Sequence, residues 1–573
     1  MSVAAPPAGP TAVVPSAGRA WLFGPSVDSL FGYGLLFLIS VPVLYFAFGR
    51  FDHWLVPVGI VGGVNILLGT PHYGATILRV YAQRQDRRRY AFFTVWITAA
   101  LLIGFVGGLY NVTVGAILLT LYVTWNPWHV SGQNYGLAVM YIRRAGVEME
   151  PALKRPLYVS FVLSAALAIV WIHMLGGSLP YSQRAADDTG TLRILTLGIP
   201  QGLTALIGEI LLPAYLACLG VVAWRLRGAL AFSRQGPVWI LIGSQALWFT
   251  IPAILATNRF FSIGAGEVPF LAVWISAAHS IQYLWVTSYY AGKADNSQRP
   301  MPFVGKALLA GCALYLPIFL FAPSLLGPAA PFSAAAAVLG FAVINLHHFI
   351  LDGAIWKLND GRVARALIAD VAPDEAGEGE ERRRTWLKPA LLTLGAVILL
   401  IQLQMIGFAQ LVSDPKVSLP TLRLAAKSLS TFGYDTPTLW MKYGAELQNA
   451  GHDDEALAAF RRALAKNPNP PAWIAHRIAS LLLALPEVDT KTANQAVLLA
   501  RGIVQEMPGR IEGYETLAHA HALAGRPAQA ERAALHAIKV AKKNAPAAQQ
   551  RALEARLVGY GALDPDPAAR SIE

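Results

Sequence analysis

Apolar runs of about 20 residues recur along the first 411 residues, and they restrict the fold more than any other feature. A helix of about 20 residues crosses the roughly 30 Å hydrocarbon layer of a bilayer. The runs lie at about 29–49, 54–78, 91–109, 112–141, 156–177, 203–224, 237–257, 269–291, 303–323, 332–356 and 387–411. They predict an all-α chain whose larger part is a polytopic membrane helix bundle of about 11 spans.

The composition also favours a membrane protein. Hydrophobic residues make up 55% of the chain and charged residues 14%, whereas a soluble domain carries about 25% charged residues. The net charge of +12 does not call for a nucleic-acid partner, because basic residues at the membrane edges account for it. The two cysteines, Cys218 and Cys312, exclude a disulfide framework.

Lysine and arginine residues are distributed unevenly among the loops of the membrane region. The loops after even-numbered spans hold 22 of them, and the loops after odd-numbered spans hold 4. Because basic loops stay in the cytoplasm, the N-terminus is predicted to be cytoplasmic. An odd number of spans then places the residues after Gln410 in the periplasm, with the bundle in a bacterial inner (plasma) membrane.

The sequence changes character near residue 436, where paired amphipathic helices replace the apolar runs. The first pair carries aromatic and small residues at Trp440, Tyr443, Gly444, Leu447, Ala456, Phe460, Ala463 and Pro468. This spacing resembles the tetratricopeptide repeat, and related spacings make residues 436–541 similar to three such repeats. Because these arrays bind peptides or proteins on a concave face, the resemblance implies a periplasmic protein or peptide partner.

These features together predict five parts in the chain. The first residues, "MSVAAPPAGP", are rich in alanine and proline, a composition typical of disorder. The parts are a disordered tail at 1–28, a membrane domain at 29–411, a connector at 412–435, the repeats at 436–541, and a C-terminal helix and tail at 542–573.

Five histidines lie inside the predicted spans, where polar groups are costly and usually mark function. They are His72, His129, His279, His347 and His348. They belong to four spans that run in the same direction. His72 precedes Arg84 by 12 residues and His129 precedes Arg143 by 14, with similar intervals for the others, which is roughly 18–21 Å of helix. Four helices therefore place imidazoles at nearly one depth, and the set is predicted to bind a transition metal.

Acceptor groups follow three of these histidines by four residues, on the same helix face. Gln133 follows His129, Tyr283 follows His279, and Asp352 follows His348. A ligating imidazole needs a partner for its other ring nitrogen, so these residues are predicted to hydrogen-bond to the ligating histidines and orient them. His347 and His348 point about 100° apart on a helix, which leaves open whether one or both of them bind.

Iron is the first choice of metal, because nitrogen ligands with open positions suit oxygen chemistry. Haem is a rival, since two histidines can ligate a haem iron. Five histidines are more than one haem requires, however. The expected reaction is therefore that of an iron-dependent oxygenase or oxidase acting on a membrane lipid or isoprenoid, with no individual catalytic residue identified.

Two short elements resemble a known family of membrane enzymes. "GTPHYGAT" around His72 is similar to the Gly-x-Pro-His-Gly element of Brp/Blh-type membrane carotene dioxygenases, and "WHVSGQN" around His129 resembles their second histidine element. Tyr73 replaces the family's glycine, and the acidic residue that follows in the family is absent. The resemblance implies iron bound by histidines scattered over several membrane helices.

Two other functions stay open on the sequence. Eleven spans followed by an external repeat domain resemble lipid-linked-sugar glycosyltransferases, which need acidic residues in the first outer loop; that loop offers only Asp52. A non-enzymatic transporter or assembly factor would use the histidines as proton relays and the repeats to recruit a partner. Metal analysis separates the iron enzyme from both alternatives.

Overall fold

The structure is a computed structural model. It describes residues 20–40, 63, 65–81, 88–175, 194–257, 268–294, 298–317, 336–358, 360–371, 387–414, 416–431, 435–466, 472–485 and 487–566. The described residues form helices joined by turns and irregular segments. The chain divides into two compact units, Met1–Gly407 and Phe408–Glu573.

Within the described ranges, the first unit contains ten main helices. They are α1 (Thr70–Tyr81), α2 (Phe92–Tyr110), α3 (Val112–Arg144), α4 (Pro151–Leu175), α5 (Gln201–Ala229), α6 (Gly236–Thr257), α7 (Val268–Ala294), α8 (Pro300–Ala313), α9 (Ala336–Ile355) and α10 (Leu387–Ser413). α2 begins with a π-helical segment, Phe92–Ile97, and α6 contains another, Ala246–Thr250. Such segments are frequent at functional sites.

Six helices of the described part are long and apolar enough to cross a membrane. They are Phe92–Tyr110, Pro151–Met174, Gly202–Ala229, Gly236–Leu255, Val338–Ile355 and Pro389–Phe408. Each falls within one of the eleven predicted runs or overlaps it. The count of about 11 spans is not confirmed and stays a prediction, since parts of the predicted spans, at 41–49, 54–62, 318–323 and 332–335, lie outside the described residues.

Glycines bring α1 and α8 into backbone contact. A Cβ added at Gly74 would lie 1.8 Å from the Ala307 carbonyl oxygen, and one at Gly311 would lie 1.9 Å from the Thr70 carbonyl oxygen. Small residues at such crossings allow membrane helices to approach closely. This contact holds the first turns of α1, which carry His72, against the bundle.

α3 is the longest of the described helices, with 33 residues, and it carries His129 near its middle. Asn111 caps its N-terminus by accepting hydrogen bonds from the backbone N–H groups of Thr113 and Val114. Pro127 lies inside the helix, and the hydroxyl of Ser131 donates to the Pro127 carbonyl oxygen at 2.6 Å. The helix thus continues past its proline through the site.

Part of the predicted disordered tail is structured. Residues 20–28 fall inside the tail predicted at 1–28, yet Ala20 and Asp28 are buried, and residues 1–19 lie outside the described part. The Asp28 carboxylate accepts hydrogen bonds from the backbone N–H groups of Leu22 and Phe23 and from the indole N–H of Trp285. These contacts order the segment, because a buried carboxylate needs donors.

The second unit is built from antiparallel helix pairs. Its helices are α11 (Leu419–Thr431), α12 (Pro437–Asn449), α13 (Asp453–Lys466), α14 (Ala472–Leu483), α15 (Thr490–Glu506), α16 (Ile511–Leu523), α17 (Pro527–Asn544) and α18 (Ala547–Gly559). α12 packs on α13, α14 on α15, and α16 on α17. A Cβ on Gly444 would lie 2.8 Å from the Phe460 ring, so only glycine allows the first pair to pack this closely. α11 occupies the region predicted as a connector.

Candidate metal centre

Four helices of the first unit bring four histidines together. His72 on α1, His129 on α3, His279 on α7 and His348 on α9 each offer one ring nitrogen, and these atoms all lie within 4.8 Å of one another. Successive histidines of this group are 57 to 150 positions apart in the sequence, so only the tertiary fold brings them together. The side chains are almost entirely removed from solvent.

The four imidazoles contact one another directly. The ring centroids of His72 and His348 are 4.1 Å apart, and those of His72 and His279 are 4.8 Å apart. His129 closes the group at 5.2 Å from His279 and 5.1 Å from His348. The four rings therefore surround a common point rather than forming two separate pairs.

Five ring nitrogens of this group have no hydrogen-bond partner among the described residues. They are Nδ1 of His72, Nε2 of His129, both nitrogens of His279 and Nε2 of His348. A buried polar atom without a partner costs roughly 1–3 kcal/mol. Native proteins avoid this cost unless an unseen ligand or a functional requirement explains it.

Thr76 binds the other ring nitrogen of His348. The distance between Thr76 Oγ1 and His348 Nδ1 is 2.9 Å, and the hydroxyl donates to Asp352 Oδ1 at 3.0 Å. The Thr76 hydroxyl also lies 2.5 Å from the Tyr283 hydroxyl, and either group can be the donor of that pair. With the Thr76 proton on Asp352 or on Tyr283, His348 Nδ1–H donates to Thr76. This tautomer leaves the lone pair of His348 Nε2 directed at the histidine group.

Asp352 lies beside the group with its two oxygens in different surroundings. Oδ1 accepts hydrogen bonds from Thr76 and from the Tyr283 hydroxyl, the latter at 2.7 Å. Oδ2 lies 3.3 Å from His348 Nε2 and 4.0 Å from His129 Nε2. The carboxylate is thus fixed on one side and faces the unpartnered histidine nitrogens on the other.

His347 lies away from the group. Its Nε2 is 2.8 Å from the hydroxyl of Thr98 on α2, and it is not one of the four clustered histidines. Of the two adjacent histidines, the structure therefore places only His348 in the group. Consecutive residues on α9 face different neighbours, His348 toward α1 and His347 toward α2.

The two other predicted supporting residues differ in their surroundings. Tyr283 is close to the group, with its ring centroid 4.3 Å from that of His72 and its hydroxyl bound to Asp352. Gln133 is half-buried, and its Nε2 has no hydrogen-bond partner among the described residues. Thr76 was not predicted, although it follows His72 by the same four-residue interval that pointed to the others.

A cavity of about 150 Å³ adjoins the group on the side of His72 and His279. Aromatic and aliphatic side chains from α3, α4, α6, α7 and α9 form most of its wall, among them Tyr122, Trp171, Trp248, Phe249, Phe341 and Phe349. Asp, Glu, Lys and Arg do not occur among the described residues that line it. An apolar cavity of this volume accommodates a molecule such as benzene.

The donor set fits a single transition-metal ion. Two nitrogens bound to one ion at about 2.1 Å lie at most about 4.2 Å apart, so a contraction of a few tenths of an ångström would complete the site. Imidazole nitrogens suit iron, copper, zinc and nickel. The Thr76 contact to His348 Nδ1 matches the usual requirement that a ligating histidine has its second nitrogen held by a neighbour.

Comparison with known proteins identifies part of the second unit. Residues 437–481 match the tetratricopeptide repeat family, over α12, α13 and most of α14. No curated protein and no solved structure matches the chain. Tetratricopeptide repeats generally mediate contacts between proteins, and a protein partner for this unit is consistent with that role.

Proposed function

We propose that the chain is an integral membrane metalloprotein in which His72, His129, His279 and His348 hold one transition-metal ion. The observation that carries the proposal is the convergence of four buried imidazoles, each with one ring nitrogen within 4.8 Å of the others, in a group where five ring nitrogens have no hydrogen-bond partner among the described residues. Buried histidines in a membrane unit are expensive. A bound metal ion would use the lone pairs that the protein leaves unpaired.

Iron is the metal we propose, and oxygen chemistry the reaction. Four nitrogen ligands fill a tetrahedral zinc site, whereas a six-coordinate iron ion keeps two positions open. A haem would need room for its macrocycle between the axial histidines. Ring centroids separated by 4.1–5.2 Å within the group favour a bare ion over haem.

The substrate class we propose is a lipid or an isoprenoid. The cavity beside His72 and His279 is aromatic, apolar and free of charged residues among those described, which suits a neutral hydrocarbon segment. Its volume holds only the reacting part of a long chain. The resemblance of the His72 and His129 elements to membrane carotene dioxygenases supports the same class of chemistry.

We also propose eleven spans, a cytoplasmic N-terminus and a periplasmic second unit in a bacterial inner membrane. The charge asymmetry of the loops supports this orientation. A reporter that is active only in the periplasm should work when fused after Glu573 and fail when inserted among the basic residues that follow the second predicted span. The opposite pattern would reverse the proposed orientation, and it would leave the metal proposal untouched.

Metal content of the purified protein tests the central proposal. The wild type should contain one equivalent of iron per chain, and His129→Ala and His279→Ala should contain far less at equal yield and helicity. His347→Ala is the matched control, because His347 lies on α9 next to His348 but binds Thr98 outside the group. Equal metal loss in the control, or no stoichiometric metal in the wild type, would refute the proposal.

A proton relay in a transporter or assembly factor is the second candidate. The contacts from Asp352 to Thr76 and from Thr76 to His348 form a connected set of exchangeable protons. A protein of this kind would keep its histidines free of metal. The metal analysis therefore decides between the two functions.

A further inference from the structure

Two tryptophans in the wall of the cavity carry indole N–H groups that have no hydrogen-bond partner among the described residues. Trp171 on α4 and Trp248 on α6 both line the cavity beside His72 and His279. Both are buried, with exposed fractions of 9% and 3%. The protein therefore leaves two hydrogen-bond donors unused in a wall that is otherwise mainly apolar.

Other indoles of the first unit do have acceptors. The Trp285 indole N–H donates to the Asp28 carboxylate at 2.8 Å, and that of Trp356 donates to the Tyr283 hydroxyl at 2.9 Å. A buried donor without an acceptor is costly, and in native proteins it usually has a functional explanation or an unseen partner. The two indoles at the cavity thus point to a bound molecule that supplies the acceptor.

The local fold of α6 places Trp248 in the wall. Trp248 and its neighbour Phe249 both line the cavity, and both belong to the π-helical segment Ala246–Thr250. Such segments are rare and are frequent at functional sites. α4 packs on this segment, and Ala168 lines the cavity one turn before Trp171. The small side chain of Ala168 contributes to the space that both indoles border.

An amide group in the same wall does not supply the missing acceptor. The Asn345 amide oxygen accepts a hydrogen bond from the Tyr73 hydroxyl at 3.0 Å, and the Asn345 amide N–H donates to the Phe341 carbonyl oxygen at 2.9 Å. An indole N–H can only donate. Its partner must therefore be an acceptor atom, and we expect that atom on a ligand.

Charge and volume restrict this ligand. Because Asp, Glu, Lys and Arg do not occur among the described residues of the wall, an ionised ligand would lose its hydration without gaining a counter-charge. The volume of about 150 Å³ suits a ring the size of benzene. A carbonyl oxygen is a neutral acceptor with two lone pairs, whereas a hydroxyl group would bring a further donor to a wall that already has unused ones.

We propose that the cavity binds a neutral molecule with a carbonyl oxygen on a small apolar group, and that Trp171 and Trp248 are specificity-determining donors to it. Pockets for apolar ligands use a few placed polar groups in this way to fix orientation. The indoles select a carbonyl compound over a hydrocarbon of the same shape. That the ligand is the substrate of the metal centre rests on the proposed function, whereas its binding does not.

The first experiment compares two probes of nearly the same shape on the full-length protein, purified without metal. They are para-fluoroacetophenone and para-fluoroethylbenzene, in which a methylene group replaces the carbonyl, and fluorine NMR titrations give their dissociation constants. Trp171→Phe and Trp248→Phe each keep an aromatic ring but remove one N–H. Each should weaken binding of the ketone roughly 2- to 10-fold, the usual effect of one hydrogen bond, and leave binding of the hydrocarbon nearly unchanged.

Trp274→Phe is the matched control. Trp274 is half-buried on α7 and packs on Phe37, outside the described wall of the cavity. Binding of both probes should be unchanged in this variant. An equal ratio of the two dissociation constants in the wild type, Trp171→Phe and Trp248→Phe would overturn the inference, and so would failure of both probes to bind the wild type. A change in only one variant would overturn the role of the other indole.

A spectroscopic measurement on the wild type covers the case in which a variant misfolds and loses both probes. Ultraviolet resonance Raman spectra of tryptophan contain a band that shifts when the indole N–H forms a hydrogen bond. The ketone should shift this band and the hydrocarbon should not. An unshifted band at saturating ketone would overturn the inference whatever the variants do.

The outcomes for the ligand and for the metal are separate. Selective binding of the ketone by protein that never holds stoichiometric iron would support this inference and refute the metal proposal. Iron-containing protein that binds both probes equally would do the reverse. In iron-containing protein the fluorine line of the bound ketone should broaden, because His72 and His279 line the same cavity. An unbroadened line would overturn the identification of the ligand as the substrate.

Discussion

Replacing Thr76 with valine is the most informative single change at the histidine group. Valine has nearly the same shape but lacks the hydroxyl that lies 2.9 Å from His348 Nδ1 and 3.0 Å from Asp352 Oδ1. Asp352 keeps the hydrogen bond from Tyr283. The substitution therefore leaves one new unpartnered atom, His348 Nδ1, and frees the imidazole to rotate.

The magnitude follows from these contacts. Loss of the neighbour that orients a metal-ligating histidine typically lowers metal affinity about 10- to 100-fold, which corresponds to about 1.4–2.7 kcal/mol of binding free energy. The unpartnered nitrogen costs roughly 1–3 kcal/mol of folding stability. Both effects are measurable, the first by competition with a chelator of known affinity and the second by thermal unfolding in detergent.

Thr98→Val is the matched control for Thr76→Val. It breaks the other threonine–histidine hydrogen bond of α9, between Thr98 Oγ1 and His347 Nε2 at 2.8 Å, outside the metal-binding group. We expect a similar loss of stability and unchanged metal affinity. Wild-type affinity in Thr76→Val, or an equal loss of affinity in Thr98→Val, would refute the assignment of His348 and its support.

Two further predictions concern packing and pH. Gly311→Ala should destabilise the first unit by about 1–3 kcal/mol, because the new methyl group would lie 1.9 Å from the Thr70 carbonyl oxygen. Thermal unfolding measures this, and an unchanged midpoint would contradict the α1–α8 contact. In the second unit, burial and the charges of Arg501 and Arg526 lower the pKa of His521 below its ordinary 6.5. As the pH falls, the unfolded state is therefore protonated at a higher pH than the folded state, so the free energy of unfolding should decrease below about pH 6.5. His521→Gln should flatten this dependence in urea titrations of residues 408–573. A pH dependence unchanged by His521→Gln would contradict the burial of this imidazole.

The sequence predicted that the histidines share one depth, because helix rise converts residue intervals into distance. His72, His129, His279 and His348 lie at similar intervals from basic loops, and the structure brings these four together. The choice between His347 and His348 could not be read in this way. It depends on the rotation of α9, which tertiary contacts such as the His347 bond to Thr98 determine.

Hydrogen-bond partners were harder to predict than positions on a helix. The four-residue interval pointed to Asp352, Tyr283 and Gln133, but an interval shows only that two side chains share a face. Thr76 shares a face with His72 and yet binds His348 on another helix. The cavity beside His279 could not be predicted from the sequence either, since residues from six helices form its wall.

X-ray absorption spectroscopy of the metal in the purified protein tests the central claim most directly. We predict an iron absorption edge and nitrogen ligands at about 2.1 Å, the usual distance for imidazole, with scattering from more distant atoms that fits four imidazole rings. His348→Ala should reduce that scattering to three rings or remove the metal, and His347→Ala should leave it unchanged. A shell without imidazole scattering, or a protein without stoichiometric metal, would contradict the account.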